Sequence, residues 1–147
     1  MIASTTASTL AFRFAVIFVV TGMLIGIAMA ASQDTSVMPA HAHLNLLGWV
    51  SLFLFGIYYE RRPALDTSRL ARLQVLIWAL ATAVLTVAVA AVHLGHDAAD
   101  PVAAVTSLVI LGDTLLFGYL VYRGGPVREG QGRDGQGRDG KGFAPAE

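Results

Sequence analysis

Four long apolar runs separated by short polar stretches dominate the pattern of hydrophobic and polar positions along this chain. Each run approaches the roughly 20 residues that an α-helix needs to cross the hydrocarbon core of a bilayer. Because short connections favour antiparallel neighbours, the pattern predicts an all-α fold, an up-down-up-down bundle of four transmembrane helices within residues 1–123. The predicted spans are Phe14–Ala31, Ala42–Tyr59, Leu73–Val92 and Val102–Tyr122.

Prolines, a glycine and capping residues mark the ends of these helices. Pro39 fits the first turn of the second helix, and Pro63 is expected to end it. The run Asp66-Thr67-Ser68 offers an N-cap for the third helix. Gly95 and then Asp100-Pro101 mark the turn into the fourth helix.

The first helix also resembles a secretion signal in one respect. Ala28-Met29-Ala30, ahead of Ala31-Ser32, has the small residues of a signal-peptidase site. The only positive charge before the apolar core is Arg13. We therefore expect this helix to be retained as a membrane span, with its cleavage as the alternative.

Composition and charge agree with a membrane protein. The chain is 55% hydrophobic and only 14% charged, against about 25% charged residues in a typical soluble domain. All ten basic residues fall on one side of the predicted topology, so the positive-inside rule places both termini in the cytoplasm. We expect a multi-pass protein of the bacterial inner membrane, surrounded by the lipid bilayer and without a nucleic-acid partner. The basic residues are Arg13, Arg61, Arg62, Arg69, Arg72, Arg123, Arg128, Arg133, Arg138 and Lys141.

Residues 124–147 differ in kind from the rest of the chain. They contain the repeat GQGRDGQGRDGKG and show no apolar periodicity. Such a composition cannot bury enough apolar surface to offset the entropy of ordering. The pattern predicts a disordered, Gly/Arg/Asp-rich cytoplasmic tail.

All four histidines fall at the predicted outer ends of helices two and three. His41 and His43 open one apolar run, while His93 and His96 close the next. Without cysteines, the chain has no thiolate ligand and no c-type haem attachment. Two facing histidines suit a haem, whereas three histidines with Asp97 suit zinc or copper. The clustering predicts one of these two kinds of site.

Helical spacing sets how these side chains are directed. His93 and His96 share a face if the third helix continues to His96, and Asp97 could accept a hydrogen bond from a ligating imidazole. His41 and His43 diverge by about 200°, so only one of them can face the bundle interior.

Polar and small residues inside the spans need separate explanations. Asp113 lies about halfway along the fourth helix and needs either a neutral carboxyl or a hydrogen bond to another helix. The role of Asp113 is either a proton relay or a structural polar contact. Asn45 is expected to orient the histidine site or to bond a backbone group. The candidate partners of Asp113 are Thr82, Thr86 and Asn45.

Small residues recur at Gly22, Gly26 and Ala30, and again at Gly48 and Gly56. Close helix approach is the usual reason for such spacing in membranes, and a flat cofactor lying against the helix is the alternative.

The segment HAHLNLLGWV, residues 41–50, resembles the His-x-His helix of subunit I in haem–copper oxidases, particularly the cbb3-type and nitric-oxide-reductase branch. In that family one histidine of the pair ligates the low-spin haem and the other the high-spin haem. The resemblance extends through Tyr58-Tyr59 and implies that His41 and His43 are axial ligands. It also implies a trimer by analogy, because subunit I is built from three similar arcs of helices.

The chain departs from this family in ways that limit the analogy. It has fewer helices than subunit I, no adjacent His-His pair for copper and no tyrosine placed as the family's cross-linked residue. We therefore expect no complete oxygen-reducing centre within one chain, and catalysis of a cytochrome-oxidase-like kind stays open.

The sequence thus predicts an integral membrane protein that binds haem b near the outer face, for electron transfer or for redox or gas sensing. His43 is the first choice as axial ligand and His93 the opposing one, followed by His41 and His96. Two alternatives remain: a copper- or zinc-binding membrane protein for metal handling, and a cofactor-free accessory subunit of a respiratory complex.

Overall fold

The computed structural model describes residues 5–123, and these form four long helices joined by short connections. The helices are α1, Ala7–Ser32; α2, Met38–Glu60; α3, Arg69–His93; and α4, Asp100–Arg123. One helical turn, Pro63–Asp66, lies between α2 and α3, and a 3₁₀ turn, Asp97–Ala99, precedes α4. The described residues contain no β-strand. The described part of the chain is therefore all-helical, which confirms the all-α class. All four helices are also long and apolar enough to cross a membrane. The predicted tail, 124–147, lies outside the described residues.

The first helix begins earlier than its apolar run suggests. α1 starts at Ala7 rather than at Phe14, because Thr6 caps it and Asp66, in the helical turn that follows α2, provides a second cap. The carboxylate of Asp66 accepts hydrogen bonds from the Ser8 backbone N–H, at 2.7 Å, and from the Ser8 hydroxyl, at 3.0 Å. A carboxylate at a helix N-terminus also interacts favourably with the helix dipole.

Other helix ends follow the local chemistry of the sequence. α2 has Pro39 in its first turn, and Ser68 caps α3 by accepting the Ala71 N–H at 3.1 Å. Both predictions are confirmed. Pro63 does not itself end α2, which stops at Glu60; instead it opens the helical turn that follows.

The end of α3 corrects one expectation. The helix stops at His93, and Gly95 adopts a left-handed backbone with φ +87°. The N–H groups of Gly95 and His96 then bond to the carbonyls of Val92 and Ala91, each at 3.0 Å, which is the Schellman pattern. The helix therefore does not continue to His96, and His93 and His96 do not share a helical face.

Glycines allow α1 and α2 to approach closely along their antiparallel contact. Gly22 and Gly26 of α1 lie under side chains of α2, and Gly48 and Gly56 of α2 lie under Phe18 and Phe12 of α1. A Cβ added to Gly48 would lie 2.8 Å from the nearest Phe18 atom, and one added to Gly56 would lie 2.6 Å from Phe12. Close helix approach is thus confirmed at these four positions.

α3 is the central helix, since it packs against all three of the others. Its Trp78 indole donates a hydrogen bond to the Leu47 carbonyl of α2 at 2.9 Å and packs edge-on against Phe55. Phe55 also contacts Phe117 of α4, with ring centroids 4.3 Å apart. α4 otherwise packs mainly on α3 and leaves much of its apolar surface exposed, as a lipid-facing helix would.

Gly48→Ala is expected to destabilise the fold by about 1–3 kcal/mol, because its Cβ would overlap the root of the Phe18 side chain, which cannot rotate away. Gly112→Ala is the matched control, since nothing lies within 4 Å of its Cβ position in the described structure. The control should be neutral or stabilising by up to about 1 kcal/mol, the helix-propensity gain. Reversible unfolding in mixed detergent micelles measures both; equal stabilities for the two variants would contradict the close contact.

Candidate functional site

The histidine-bearing turns of α2 pack against α3. Tyr59 of α2 bonds to Gln74 near the start of α3, so the two helices run antiparallel. The segment Met38–His43 also packs against α3. With this direction fixed by the Tyr59 contact, the first turns of α2 must meet the second half of α3, towards His93.

His43 and His93 share one local geometry. The Nδ1 atom of His43 lies 2.7 Å from the Pro39 carbonyl oxygen, and that of His93 lies 2.8 Å from the Val89 carbonyl oxygen. A carbonyl can only accept, so each Nδ1 must carry the proton. In a neutral imidazole the lone pair is then on Nε2, which is the state in which a histidine binds a metal. His43 is half-buried and His93 is exposed.

His41 is placed differently and is held against α1. Its ring lies over Gly26, where an added Cβ would be 3.1 Å from the imidazole Cε1. Asn45 donates a hydrogen bond from its side-chain nitrogen to the His41 carbonyl at 2.8 Å, and the same nitrogen lies 3.3 Å from His41 Nδ1. The prediction that Asn45 bonds a backbone group is confirmed. His41 thus forms part of the α1–α2 contact.

His96 and Asp97 lie beyond the end of α3 and are exposed. Within residues 5–123, no three side chains among His, Asp and Glu come together in a way that could hold a metal ion. A site that takes two axial ligands from the protein does not require such a group.

The histidine turns lead directly into a π-helical segment, Leu44–Ser51. The Ser51 hydroxyl donates to the Leu46 carbonyl, five residues earlier, at 3.0 Å. π-helical turns are rare and occur frequently at functional sites. The segment also rotates the rest of α2 relative to its first turns, which a 3.6-residue period cannot anticipate. Sequence reasoning missed it, and apolar periodicity carries no signal for it.

The connection between α1 and α2 carries one acidic residue, Asp34, and no basic one. Asp34 accepts hydrogen bonds from the Ser36 hydroxyl and backbone N–H, and these lower the pKa of its carboxyl below the ordinary value. Asp34 therefore stays ionised at neutral pH. The connections 32–39 and 95–100 contain no lysine or arginine, and their carboxylates are Asp34, Asp97 and Asp100.

Asp113 is buried and bonded to a residue that sequence reasoning did not select. The Gln74 side-chain nitrogen donates to Asp113 Oδ2 at 2.7 Å, and Tyr59 donates its hydroxyl to Gln74 Oε1 at 2.8 Å. Gln74 is fully buried and joins α2, α3 and α4. The expectation of an interhelical hydrogen bond is confirmed, while a proton-relay role stays a prediction.

The three partners expected for Asp113 are wrong. Thr86 donates to the Thr82 carbonyl, and Asn45 to the His41 carbonyl. The hydroxyl of Thr82 and the second oxygen of Asp113 are buried without a hydrogen-bond partner in the described part of the chain. Gln74 could have been found as a polar residue in the second turn of an apolar helix.

Comparison with known proteins found no match: no family model, curated protein or solved structure matches the chain.

Gln74→Leu is expected to destabilise the protein by about 1–2 kcal/mol, the upper range for polar contacts between membrane helices. The change leaves Asp113 without its donor and Tyr59 without its acceptor. Asp113→Asn is the control, because the amide oxygen can still accept the Gln74 bond, and its effect should be clearly smaller. Unfolding in mixed micelles measures both variants; wild-type stability for Gln74→Leu would show that the network contributes nothing.

Proposed function

We propose that the chain is a multi-pass inner-membrane protein that binds haem b near the outer membrane face, with His43 and His93 as axial ligands. The observation that carries this proposal is the pair of Nδ1–carbonyl hydrogen bonds, which leaves both Nε2 atoms free to bind iron. Haem iron held by two histidines would supply one-electron redox chemistry, so the role would be electron transfer or redox sensing. Gas sensing would require one of the two histidines to leave the iron.

The donor set favours haem over zinc or copper. A haem takes its equatorial ligands from the porphyrin and needs only two from the protein, whereas a structural zinc site needs four. The described residues form no three-residue cluster of metal-binding side chains. His41, which is packed on Gly26, and His96, which lies outside α3, rank behind the proposed pair.

Charge supports the orientation of this proposal. The described arginines lie in the first two turns of a helix, at the end of a helix or beyond it, and all of them are away from the histidine turns. By the positive-inside rule, both termini would be cytoplasmic and the histidines would face the periplasm. The resemblance of residues 41–50 to oxidase subunit I supports assembly with copies of itself, as a trimer by analogy, or with respiratory subunits.

His43→Ala and His93→Ala should each lower the haem-to-protein ratio at least about tenfold, because each variant loses one of the two iron–protein bonds. Mutation of a residue that only hydrogen-bonds to a metal ligand commonly lowers metal affinity or activity about 10–100-fold. Haem content is measured as the pyridine haemochrome after haem-supplemented expression. His96→Ala is the matched control, and it should retain wild-type haem content.

Two outcomes would refute the proposal. One is purified wild-type protein with no porphyrin absorbance, together with copper or zinc in elemental analysis, which would establish the metal-handling alternative. The other is wild-type haem content in the His43→Ala, His93→Ala double variant, which would place the haem elsewhere.

A further inference from the structure

An open groove of about 500 Å³ lies between the start of α1 and the start of α3, at the end opposite to the histidines. One end of it carries two arginines from the first turns of α3, and the other end is apolar. The residues that line it are Thr5, Leu10, Arg69, Arg72, Leu73 and Leu76. Along both helices the polar residues come first and the leucines follow deeper in the span, so the groove is amphipathic along its length.

Arg69 and Arg72 lie in the first turn of α3, where positive charges destabilise a helix. The first turn of α3 contains no acidic residue, and cations at a helix N-terminus are repelled by the positive end of the helix dipole. The nearest acidic residue in sequence, Asp66, directs its carboxylate to Ser8 at the start of α1. Arg72 donates from Nε to the Ser68 carbonyl at 3.4 Å, and among residues 5–123 its two terminal nitrogens have no hydrogen-bond partner. An anion between Arg69 and Arg72 would offset this repulsion.

The apolar end of the groove selects among anions. Leu73 and Leu76 are 50% and 44% exposed, in a position where an acyl chain could lie against them. A free phosphate would leave these leucines uncovered, whereas a phospholipid covers them and brings its phosphate to the level of the arginines. Basic pockets between helices on the cytoplasmic side of membranes are known to bind anionic headgroups in this way.

We propose that the groove between α1 and α3 binds an anionic phospholipid, with its phosphate at Arg69 and Arg72 and an acyl chain along Leu10, Leu73 and Leu76. The proposal rests on the membrane insertion and orientation given above and is independent of haem. It assigns these two arginines to a lipid site, whereas the positive-inside rule alone would treat all cytoplasmic arginines as equivalent.

The test compares the full-length protein with two double variants of equal charge change. Arg69→Gln with Arg72→Gln removes the groove cations, and Arg61→Gln with Arg123→Gln removes two arginines that do not line the groove. Native mass spectrometry in detergent, with phosphatidylglycerol titrated against phosphatidylcholine, measures the lipid bound. At about 1 kcal/mol per arginine, the groove variant should bind phosphatidylglycerol roughly 30-fold more weakly. The control should stay within about threefold of wild type, and Arg69→Lys with Arg72→Lys should keep part of the affinity.

Three results would overturn the proposal. Equal losses in the two glutamine variants would mean that bulk charge alone attracts the lipid. Equal binding of phosphatidylcholine would remove the role of the headgroup charge. Displacement of phosphatidylglycerol by millimolar inorganic phosphate would mean that the arginines form a free-anion site. Haem content, measured on the same samples, separates these results from failure of the haem proposal, because the groove variants keep every histidine.

Discussion

The close approach of α1 and α2 is the constraint on which the rest of the structure depends. In a lipid environment the hydrophobic effect does not hold helices together, so association relies on packing at small residues and on polar contacts. Gly48 and Gly56 accept the rings of Phe18 and Phe12, and Gly26 accepts the ring of His41. Once α2 is seated on α1 in this register, its first turns are directed against α3.

The packing of α2 on α1 places His41 and His43 in different surroundings. His41 completes the α1–α2 contact, with Asn45 bonded to its carbonyl and lying beside its ring. His43, two residues later, is turned away by about 200° and keeps a free Nε2. The π-helical segment that follows lets α2 resume its packing against Trp78 and Gln74 of α3. At the opposite end, Tyr59, Gln74 and Asp113 join three helices by hydrogen bonds, where no water would be available to them.

Features set by neighbours in sequence were predictable, and features set by distant contacts were not. Ser68, Pro39 and Gly95 act within one helical turn, so their roles follow from local chemistry. α1 starts earlier than its apolar run predicts, because it is capped locally by Thr6 and also by Asp66, which lies 58 residues from Ser8 in sequence. The partner of Asp113 was misjudged because the choice among Gln74, Thr82 and Thr86 depends on the register between α3 and α4. The Nδ1 contacts of His43 and His93 are four-residue helical contacts, so their spacing could have suggested them.

The central claim is that His43 and His93 present two free Nε2 atoms to one haem iron. An optical spectrum of the wild-type protein, oxidised, then dithionite-reduced, then exposed to carbon monoxide, tests this most directly. The account predicts a Soret band, sharp reduced bands of a six-coordinate low-spin haem, and no shift on addition of carbon monoxide. Broad reduced bands that shift with carbon monoxide would contradict two-histidine ligation, and absence of a Soret band would contradict haem binding altogether.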